Sequence, residues 1–287
     1  MSDAAMISAL PPSEVARLDA RFPARRVPVR GGVVSVRACG AGPVIVCLHG
    51  IGSGAASWLD TALLLEPHAH LIAWDAPGYG ESTPVVPEVP MAADYAERLH
   101  ALLDAMDIES CVLVGHSLGA LTAAFAARAG SPLAARIERL VLISPAGGYG
   151  APARAQARQR VRTERLDTLA RLGVAGMATQ RSGRLVSDNA SELARQWVRW
   201  NMARLNDHGY RQAVELLCGG DLQADLPPAM PVRVACGALD VVTTPAACEE
   251  VAIRCGVALE LLDGAGHASY VEQPETVAAM LRYVLAS

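Results

Sequence analysis

Short apolar runs recur along the chain, and most of them end in glycine or in a polar residue. Runs of roughly four to eight residues rich in Val, Ile and Leu are typical of strands that a parallel sheet buries on both faces. The first two strands are predicted at 27–39, on either side of a Gly-Gly turn in VPVRGGVVSVRAC. The six apolar runs that follow are PVIVCLHG, HLIAWDAPG, CVLVGHS, RLVLISPAG, PVRVACGALD and LELLDGAGH.

Helical patterns separate these runs. Segments such as AADYAERLHALLDAM and GALTAAFAARA carry apolar residues at helical spacing. The last segment, PETVAAMLRYVLA, begins with Pro274, a residue favoured in the first turn of a helix. Strands that alternate with helices predict an α/β fold with a mostly parallel, eight-stranded sheet and helices on both faces. The opening hairpin adds antiparallel strands at one edge.

The alternation breaks once, between residues 149 and 222. No run there predicts a strand, and segments such as SELARQWVRWNMARL have helical periodicity. We expect a helical lid over the carboxyl end of the sheet, where open α/β sheets bind their ligands. The predicted organisation is a tail or helix over 1–26, a core domain over 27–148 and 223–287, and the lid at 149–222.

The amino-acid composition indicates which kinds of partner and which cellular compartment to expect for this protein. Hydrophobic residues make up 52% of the 287, enough for one large domain with an insertion. No apolar run approaches the roughly 20 residues that cross a bilayer, and the first 25 or so residues lack the apolar run of a signal peptide. The seven cysteines are odd in number and include no CxxC pair, which favours free thiols in a reducing cytoplasm. The net charge of −4 gives no electrostatic case for a nucleic-acid partner.

The run CVLVGHS leads directly into the pentapeptide GHSLG, and a helical pattern follows. A strand that turns sharply into a helix crowds its own backbone, and Gly115 and Gly119 omit the side chains that would clash there. Ser117 then projects from the turn. This G-x-S-x-G arrangement at a strand–helix junction predicts that Ser117 is a nucleophile.

A serine hydroxyl needs a base to take its proton and an acid to orient that base. Of the seven histidines, His267 lies in a glycine-containing loop after the last predicted strand. Asp240 follows the preceding strand, whereas the rival carboxylates Asp221 and Asp225 come before it. The chain order of Ser117, Asp240 and His267 therefore predicts a catalytic triad at the carboxyl edge of the sheet.

The charge that develops on a substrate oxygen needs donors as well. The backbone N–H of Leu118, at the start of the helix after the serine, is one candidate. The loop HGIGSGAASW is rich in glycine and can approach a ligand closely, so we expect the second donor to be the N–H of Ile51. His49 is expected to brace this loop. No spacing of His, Cys, Asp and Glu indicates a metal site, and no cofactor is expected.

The motifs LHGIGSG, WDAPGYGES, GHSLG, GALDVVTTP and GAGHASYVEQPE resemble, in order and spacing, those of the α/β-hydrolase superfamily. The resemblance runs from about residue 27 to the end of the chain, and it implies the α/β-hydrolase fold. The segment MARLNDHGYRQAVELLCGGDLQADL is similar to the lid end of enol-lactonases and related carboxylesterases. The loop HGIGSGAASW resembles that of carbon–carbon bond hydrolases, which usually have a tryptophan after the catalytic histidine, where this chain has Ala268.

The favoured function is hydrolysis of a small carboxylic ester or lactone through an acyl-serine intermediate. Three alternatives stay open: carbon–carbon bond hydrolysis of a ring-fission diketone, acyl transfer to an alcohol or amine, and ligand binding without catalysis. Dehalogenase and epoxide hydrolase chemistry is disfavoured, because it needs a carboxylate where this chain has Ser117. The expected partner is a small molecule; the oligomeric state is left open.

All 25 basic residues are arginines, and they are unevenly placed. Residues 151–220 carry a charge of +6, which leaves −10 for the remainder because the whole chain carries −4. A lid arginine is therefore a candidate to hold a substrate carboxylate. The candidate substrate-binding residues are Trp58, Trp197, Trp200, Arg199 and Arg204.

Overall fold

The computed structural model describes residues 10–286. Eight strands form one sheet in the order β1-β2-β4-β3-β5-β6-β7-β8. Strand β2 pairs antiparallel with β1 and β4, and every other neighbouring pair is parallel. The strands are β1 (Ala24–Val29), β2 (Gly32–Cys39), β3 (Val44–Leu48), β4 (His70–Trp74), β5 (Cys111–His116), β6 (Ile137–Ile143), β7 (Val232–Gly237) and β8 (Leu259–Leu262). The predicted eight-stranded, mostly parallel sheet is confirmed.

Helices cover both faces of this sheet. The α-helices of the described chain are α1 (Pro12–Arg21), α2 (Leu59–Leu65), α3 (Ala92–Ala105), α4 (Gly119–Ala127), α5 (Ala155–Arg181), α6 (Glu192–Ala203), α7 (Asp207–Gly219), α8 (Pro245–Cys255), α9 (Ser269–Glu272) and α10 (Pro274–Ala286). Short 3₁₀ turns join several of them, among them Ala55–Trp58, Ser182–Leu185 and Leu222–Asp225.

Strand β5 lies inside the sheet, and all six of its residues are buried. Its alternate side chains enter different apolar clusters: Leu113 joins the cluster under α3 and α4, and Val112 and Val114 join the cluster under α2 and α10. A strand buried on both faces must be apolar at every position, which explains why its sequence is a continuous run rather than an alternating one.

The N-terminal segment contains a helix, α1, followed by an edge strand. Strand β1 begins at Ala24, three residues before the predicted start of the core domain. Its first three residues are exposed, so hydropathy does not mark where it begins. The part of the predicted tail that covers 1–9 lies outside the described residues.

Helices α5, α6 and α7 lie between β6 and β7, where the sequence predicts an insertion, and the described residues from 144 to 231 contain no strand. Helix α5 is broken at Gly173, whose φ of 62° and ψ of −179° are not helical. No helix of the described residues is long and apolar enough to cross a membrane. The seven cysteines are all free thiols.

Candidate active site

Ser117 stands on a strained turn between β5 and α4. Its φ is 51°, a left-handed conformation that is uncommon for a residue with a side chain. Its backbone is held on both sides by the β6 strand and the loop after it: the N–H donates to the Ile143 carbonyl at 3.1 Å, and the carbonyl accepts from Ala146 N–H at 3.1 Å. The turn thus aims the hydroxyl away from the sheet.

The two glycines that flank this turn are required by close packing. A Cβ on Gly115 would lie 2.7 Å from Ala123 Cβ, and one on Gly119 would lie 2.4 Å from the Leu48 carbonyl oxygen. Both separations are shorter than van der Waals contact. Glycine at these positions lets α4 pack directly against β5 and the end of β3, which is the physical reason for the G-x-S-x-G spacing.

His267 and Asp240 form a buried pair at the same edge of the sheet. Nδ1 of His267 lies 2.8 Å from Oδ2 of Asp240, and the two side chains are 4% and 0% exposed. The other carboxylate oxygen, Oδ1, accepts from the N–H groups of Val242 at 2.7 Å and Thr243 at 3.0 Å. Backbone donors in the loop after β7 therefore bind one oxygen of the Asp240 carboxylate, and the other oxygen contacts the imidazole of His267.

The surroundings keep Asp240 ionised. Burial raises the pKa of this carboxyl group, but the hydrogen bond and charge interaction with His267 and the hydrogen bond from Val242 outweigh it and lower the pKa to about 2. An ionised Asp240 accepts a hydrogen from Nδ1 of His267, so that Nε2 is the nitrogen left to act as a base. Ser117 and His267 line one cavity of about 630 Å³.

The rival aspartates, Asp225 and Asp221, have different surroundings. Asp225 pairs with Arg128 at 3.2 Å. Asp221 lines the cavity, but its backbone is bridged to Gly148 on the far side of the β6 loop. Of the three aspartates considered in the sequence, Asp240 is the one that contacts His267.

His116 contacts His267 in a way that the sequence did not reveal. Its Nε2 lies 2.9 Å from the backbone carbonyl oxygen of His267, and its ring is 4.8 Å from the His267 ring. Burial, followed by the nearby His267, lowers the pKa of His116 to about 3. The neutral ring therefore donates from Nε2 to the His267 carbonyl. Its position directly before the nucleophile was visible in the sequence, but its partner was not.

The loop after β3 lies against the serine. His49 accepts from Ala76 N–H through Nε2 at 2.9 Å, while its Nδ1 lies 2.9 Å from the Gly50 carbonyl. Burial lowers the pKa of His49, in keeping with a neutral ring that donates from Nδ1. Tyr79 donates from its hydroxyl to the Ile51 carbonyl at 2.9 Å. Ile51 and Leu118, the two predicted donors, both line the cavity with Ser117.

The five predicted substrate-binding residues do not lie in the wall of this cavity. Trp58 is fully buried and stacks on Tyr270 with ring centroids 4.0 Å apart. Trp197 is buried in the apolar cluster under α10, and Trp200 packs edge-on against it at 5.5 Å.

The two predicted arginines also lie outside the cavity wall. Arg204 lies over the Trp200 ring at 4.4 Å, and Arg199 is half-buried on α6 outside the cavity wall. Helix α6 turns a different face to the cavity, the one that carries Val198 and Met202. Helical spacing alone could not tell which face that is. These positions correct the sequence-based expectation for the cavity wall.

The helical insertion contributes a different set of charged residues. The arginines that line the cavity are Arg154, Arg165, Arg181 and Arg184. In the described part of the chain, no group of three or more His, Cys, Asp or Glu side chains could hold a metal ion.

Comparison with known proteins identifies the family. The model of the family described as the alpha/beta hydrolase family matches residues 45–280. Among curated proteins, an uncharacterized protein of Mycobacterium tuberculosis is 28% identical over 264 residues, which cover 86% of this chain and 76% of that protein. A 2-hydroxy-6-oxononadienedioate/2-hydroxy-6-oxononatrienedioate hydrolase of Dechloromonas aromatica is 32% identical over 119 residues, 40% of this chain and 39% of that one.

Among solved structures, the enol-lactonase of Burkholderia xenovorans superposes with a TM-score of 0.79. The match covers 92% of this chain and the whole of that one, at 23% sequence identity. At that identity the likeness shows a shared fold.

Proposed function

Because the chain belongs to the alpha/beta hydrolase family, we propose that it is a serine hydrolase that cleaves a small carboxylic ester or lactone. The observation that carries the proposal is the 2.8 Å contact between His267 Nδ1 and Asp240, at the cavity that Ser117 also lines. A strained serine, a histidine with a free Nε2 and a buried carboxylate are the three groups that acyl transfer to serine requires.

In the proposed reaction, Ser117 Oγ attacks the substrate carbonyl carbon and His267 Nε2 takes the hydroxyl proton. Asp240 stabilises the imidazolium that forms, because it is ionised and bonded to Nδ1. The C–O bond to the leaving group then breaks, and His267 returns the proton to the departing oxygen. Water, activated by the same imidazole, hydrolyses the acyl-serine and restores the enzyme.

The oxyanion of each tetrahedral intermediate needs preorganised donors. We assign this role to the backbone N–H groups of Ile51 and Leu118. The assignment is supported by the packing of their loops: a Cβ on Gly50 would lie 2.9 Å from Ser117 Cβ, and one on Gly119 would lie 2.9 Å from the His49 carbonyl oxygen. The two loops are thus in direct contact around the nucleophile.

We assign the helical insertion the role of a lid. Side chains of α5 and α6, among them Val161, Met177 and Met202, line the same cavity as Ser117 and His267. Apolar side chains placed over the reaction centre exclude water from the acyl group and strengthen the electrostatic interactions within the site.

A second candidate is hydrolysis of a carbon–carbon bond in a ring-fission product. It is supported by the partial similarity to the Dechloromonas aromatica protein named as a 2-hydroxy-6-oxononadienedioate/2-hydroxy-6-oxononatrienedioate hydrolase. The residue after His267 is Ala268, which is 4% exposed and sits at the start of α9. Both reactions would use the same Ser117, so substrate assays must separate them.

The decisive experiment is a substrate panel combined with a nucleophile variant. Short and long 4-nitrophenyl esters, small lactones and a ring-fission diketone are assayed with the wild type and with Ser117→Ala. We expect ester or lactone turnover that falls by about 10⁴-fold or more in the variant, with the thermal unfolding midpoint unchanged within a few degrees. A fluorophosphonate probe should label Ser117, as read by peptide mass spectrometry.

Two outcomes oppose the proposal. Turnover of every ester by folded Ser117→Ala at near wild-type rates would remove the serine from the chemistry. Diketone cleavage with kcat/KM at least about tenfold above that of any ester or lactone would favour the second candidate.

A further inference from the structure

We propose that Arg165, Arg181 and Arg184 form an anion subsite in the cavity of Ser117, and that the substrate carries a carboxylate that binds there. All three arginines line that cavity. The inference rests on the proposed function, because it names the class of ester or lactone that the same site takes. The sequence placed this role on Arg199 and Arg204, which lie outside the cavity wall.

Arg181 is the centre of the subsite. It is the last residue of α5, and its side chain is 20% exposed. Its ion-pair partner, Glu164 at 3.3 Å, is 62% exposed and therefore screened by water. A guanidinium has five N–H donors, and one exposed carboxylate leaves most of them available to a ligand.

The arginines come together because α5 is broken. In a straight helix, Arg165 and Arg181 would lie about 24 Å apart, at 1.5 Å per residue. The break at Gly173 turns the chain back, so that Arg181 reaches Glu164, the neighbour of Arg165. The 3₁₀ turn Ser182–Leu185 then carries Arg184 into the same wall.

The cavity wall carries more positive than negative side chains: Arg154, Arg165, Arg181 and Arg184 line it together with Glu164, Asp221 and Glu250. Burial lowers the pKa of Arg181, and the positive charges of Arg165 and Arg184 lower it further, while Tyr210 and Glu164 act in the opposite direction. Two positive groups, Arg165 and Arg184, and one exposed carboxylate, Glu164, thus act on Arg181. A substrate anion would supply the missing negative charge.

Tyr210 completes the recognition chemistry. Arg165 donates from Nη1 to the Tyr210 hydroxyl at 3.1 Å, and Tyr210 is buried in the cavity wall. Because that oxygen accepts from Arg165, its own proton is available for an acceptor in the cavity. A planar carboxylate that meets guanidinium donors and a phenol hydroxyl satisfies both of its oxygens.

The kinetic test compares mono-4-nitrophenyl glutarate with its methyl ester, in which the free carboxylate is replaced by a neutral group. We expect the wild type to prefer the anionic ester by about tenfold or more in kcat/KM. Arg181→Met should bring that ratio towards one, mainly through the KM of the anionic ester. Arg171→Met is the matched control, because Arg171 is an exposed arginine of α5 outside the cavity wall, and it should keep the ratio.

A binding test is independent of turnover. Ser117→Ala protein is titrated with monomethyl glutarate and with dimethyl glutarate in a calorimeter. The anion should bind about tenfold or more tightly, and the difference should disappear in Ser117→Ala/Arg181→Met and persist in Ser117→Ala/Arg171→Met. Arg184→Met, at an exposed position, gives a second variant that should weaken the preference if Arg181→Met does not fold.

The outcomes separate this proposal from the proposed function. If the wild type hydrolyses both esters equally and both glutarates bind equally, the subsite is wrong and the serine hydrolase stands. If no ester is hydrolysed but monomethyl glutarate binds in an Arg181-dependent way, the subsite stands and the hydrolase does not. A preference for the anion that survives in both Arg181→Met and Arg184→Met overturns the assignment to these residues.

Discussion

His116, the residue before the candidate nucleophile, lies with its Nε2 2.9 Å from the backbone carbonyl oxygen of His267. Strand β5 thus contacts the loop that carries the candidate base. The neutral imidazole of His116 is enclosed between the His267 ring and Tyr270, each 4.8 Å away. The position of His267 relative to Ser117 therefore depends on one buried hydrogen bond as well as on Asp240.

Loss of that hydrogen bond should slow the reaction without abolishing it. His116→Phe leaves the His267 carbonyl without its donor, and we expect kcat to fall about fivefold with little change in KM, since one net hydrogen bond is worth about 1 kcal/mol. His116→Gln keeps a side-chain N–H and should recover most of the loss. Steady-state kinetics on a 4-nitrophenyl ester measures both, and wild-type kcat in the Phe variant would contradict the positioning role.

Asp240→Asn should cost about 10³- to 10⁴-fold in kcat. An amide donates where the carboxylate accepts, so it favours the tautomer of His267 whose Nε2 carries the hydrogen and cannot act as a base. Asp225→Asn is the control, because Asp225 pairs with Arg128 instead. A mild loss at Asp240 together with a severe one at Asp225 would transfer the role to the rival aspartate.

Acid should remove a contribution of Asp240 to stability. The folded-state pKa of about 2 lies below the ordinary value of 3.8, so the unfolded state binds more protons between these values. The contribution is complete above about pH 4 and is lost as the pH falls through 2. Urea unfolding of the wild type and of Asp240→Asn at pH 5, 4, 3 and 2 should show their free-energy difference shrinking with acid; a constant difference would refute the shift.

Gly50→Ala should disturb the loop that holds Ile51. The added Cβ would lie 2.9 Å from Ser117 Cβ and 3.1 Å from His116 Nδ1, so the loop must move away from the serine. We expect kcat to fall by about 10²-fold or more, as when one oxyanion donor is lost, with KM changing less. Gly183→Ala, where nothing lies within 4 Å of the added Cβ, should leave kcat unchanged. Equal kcat in both variants would contradict the role of this loop.

Gly173→Ala should loosen the break in α5. Gly173 has a φ of 62°, which glycine adopts readily and alanine adopts only with strain, although nothing lies within 4 Å of the added Cβ. We expect a loss of about 1–3 kcal/mol in unfolding free energy and a weaker preference for the anionic ester. Gly183→Ala lacks the left-handed φ and is again the control. Unchanged stability and an unchanged ester preference would show that the break does not depend on glycine.

The sequence was sufficient for the sheet, and it predicted that Ser117, Asp240 and His267 lie at the carboxyl edge of that sheet; their catalytic roles stay a prediction. Buried parallel strands must be apolar throughout, so each appears in the sequence as a continuous apolar run. The carboxyl ends of parallel strands lie at the same edge of the sheet, so the residues that follow these runs lie close together there. The exposed edge strand β1 lacks such a run, which is why its start at Ala24 was placed three residues late.

Only the tertiary structure decided which other side chains meet there. His116 and Tyr79 act through backbone carbonyls of segments far along the chain, and a carbonyl has no signature in a sequence. Helical periodicity showed that α6 has an apolar face. It did not show that Trp197 and Trp200 join an apolar cluster outside the cavity wall while Val198 and Met202 line the cavity. The break of α5 at Gly173 decides which arginines line the cavity. The sequence could not show this, because the direction in which a helix turns back depends on what it packs against.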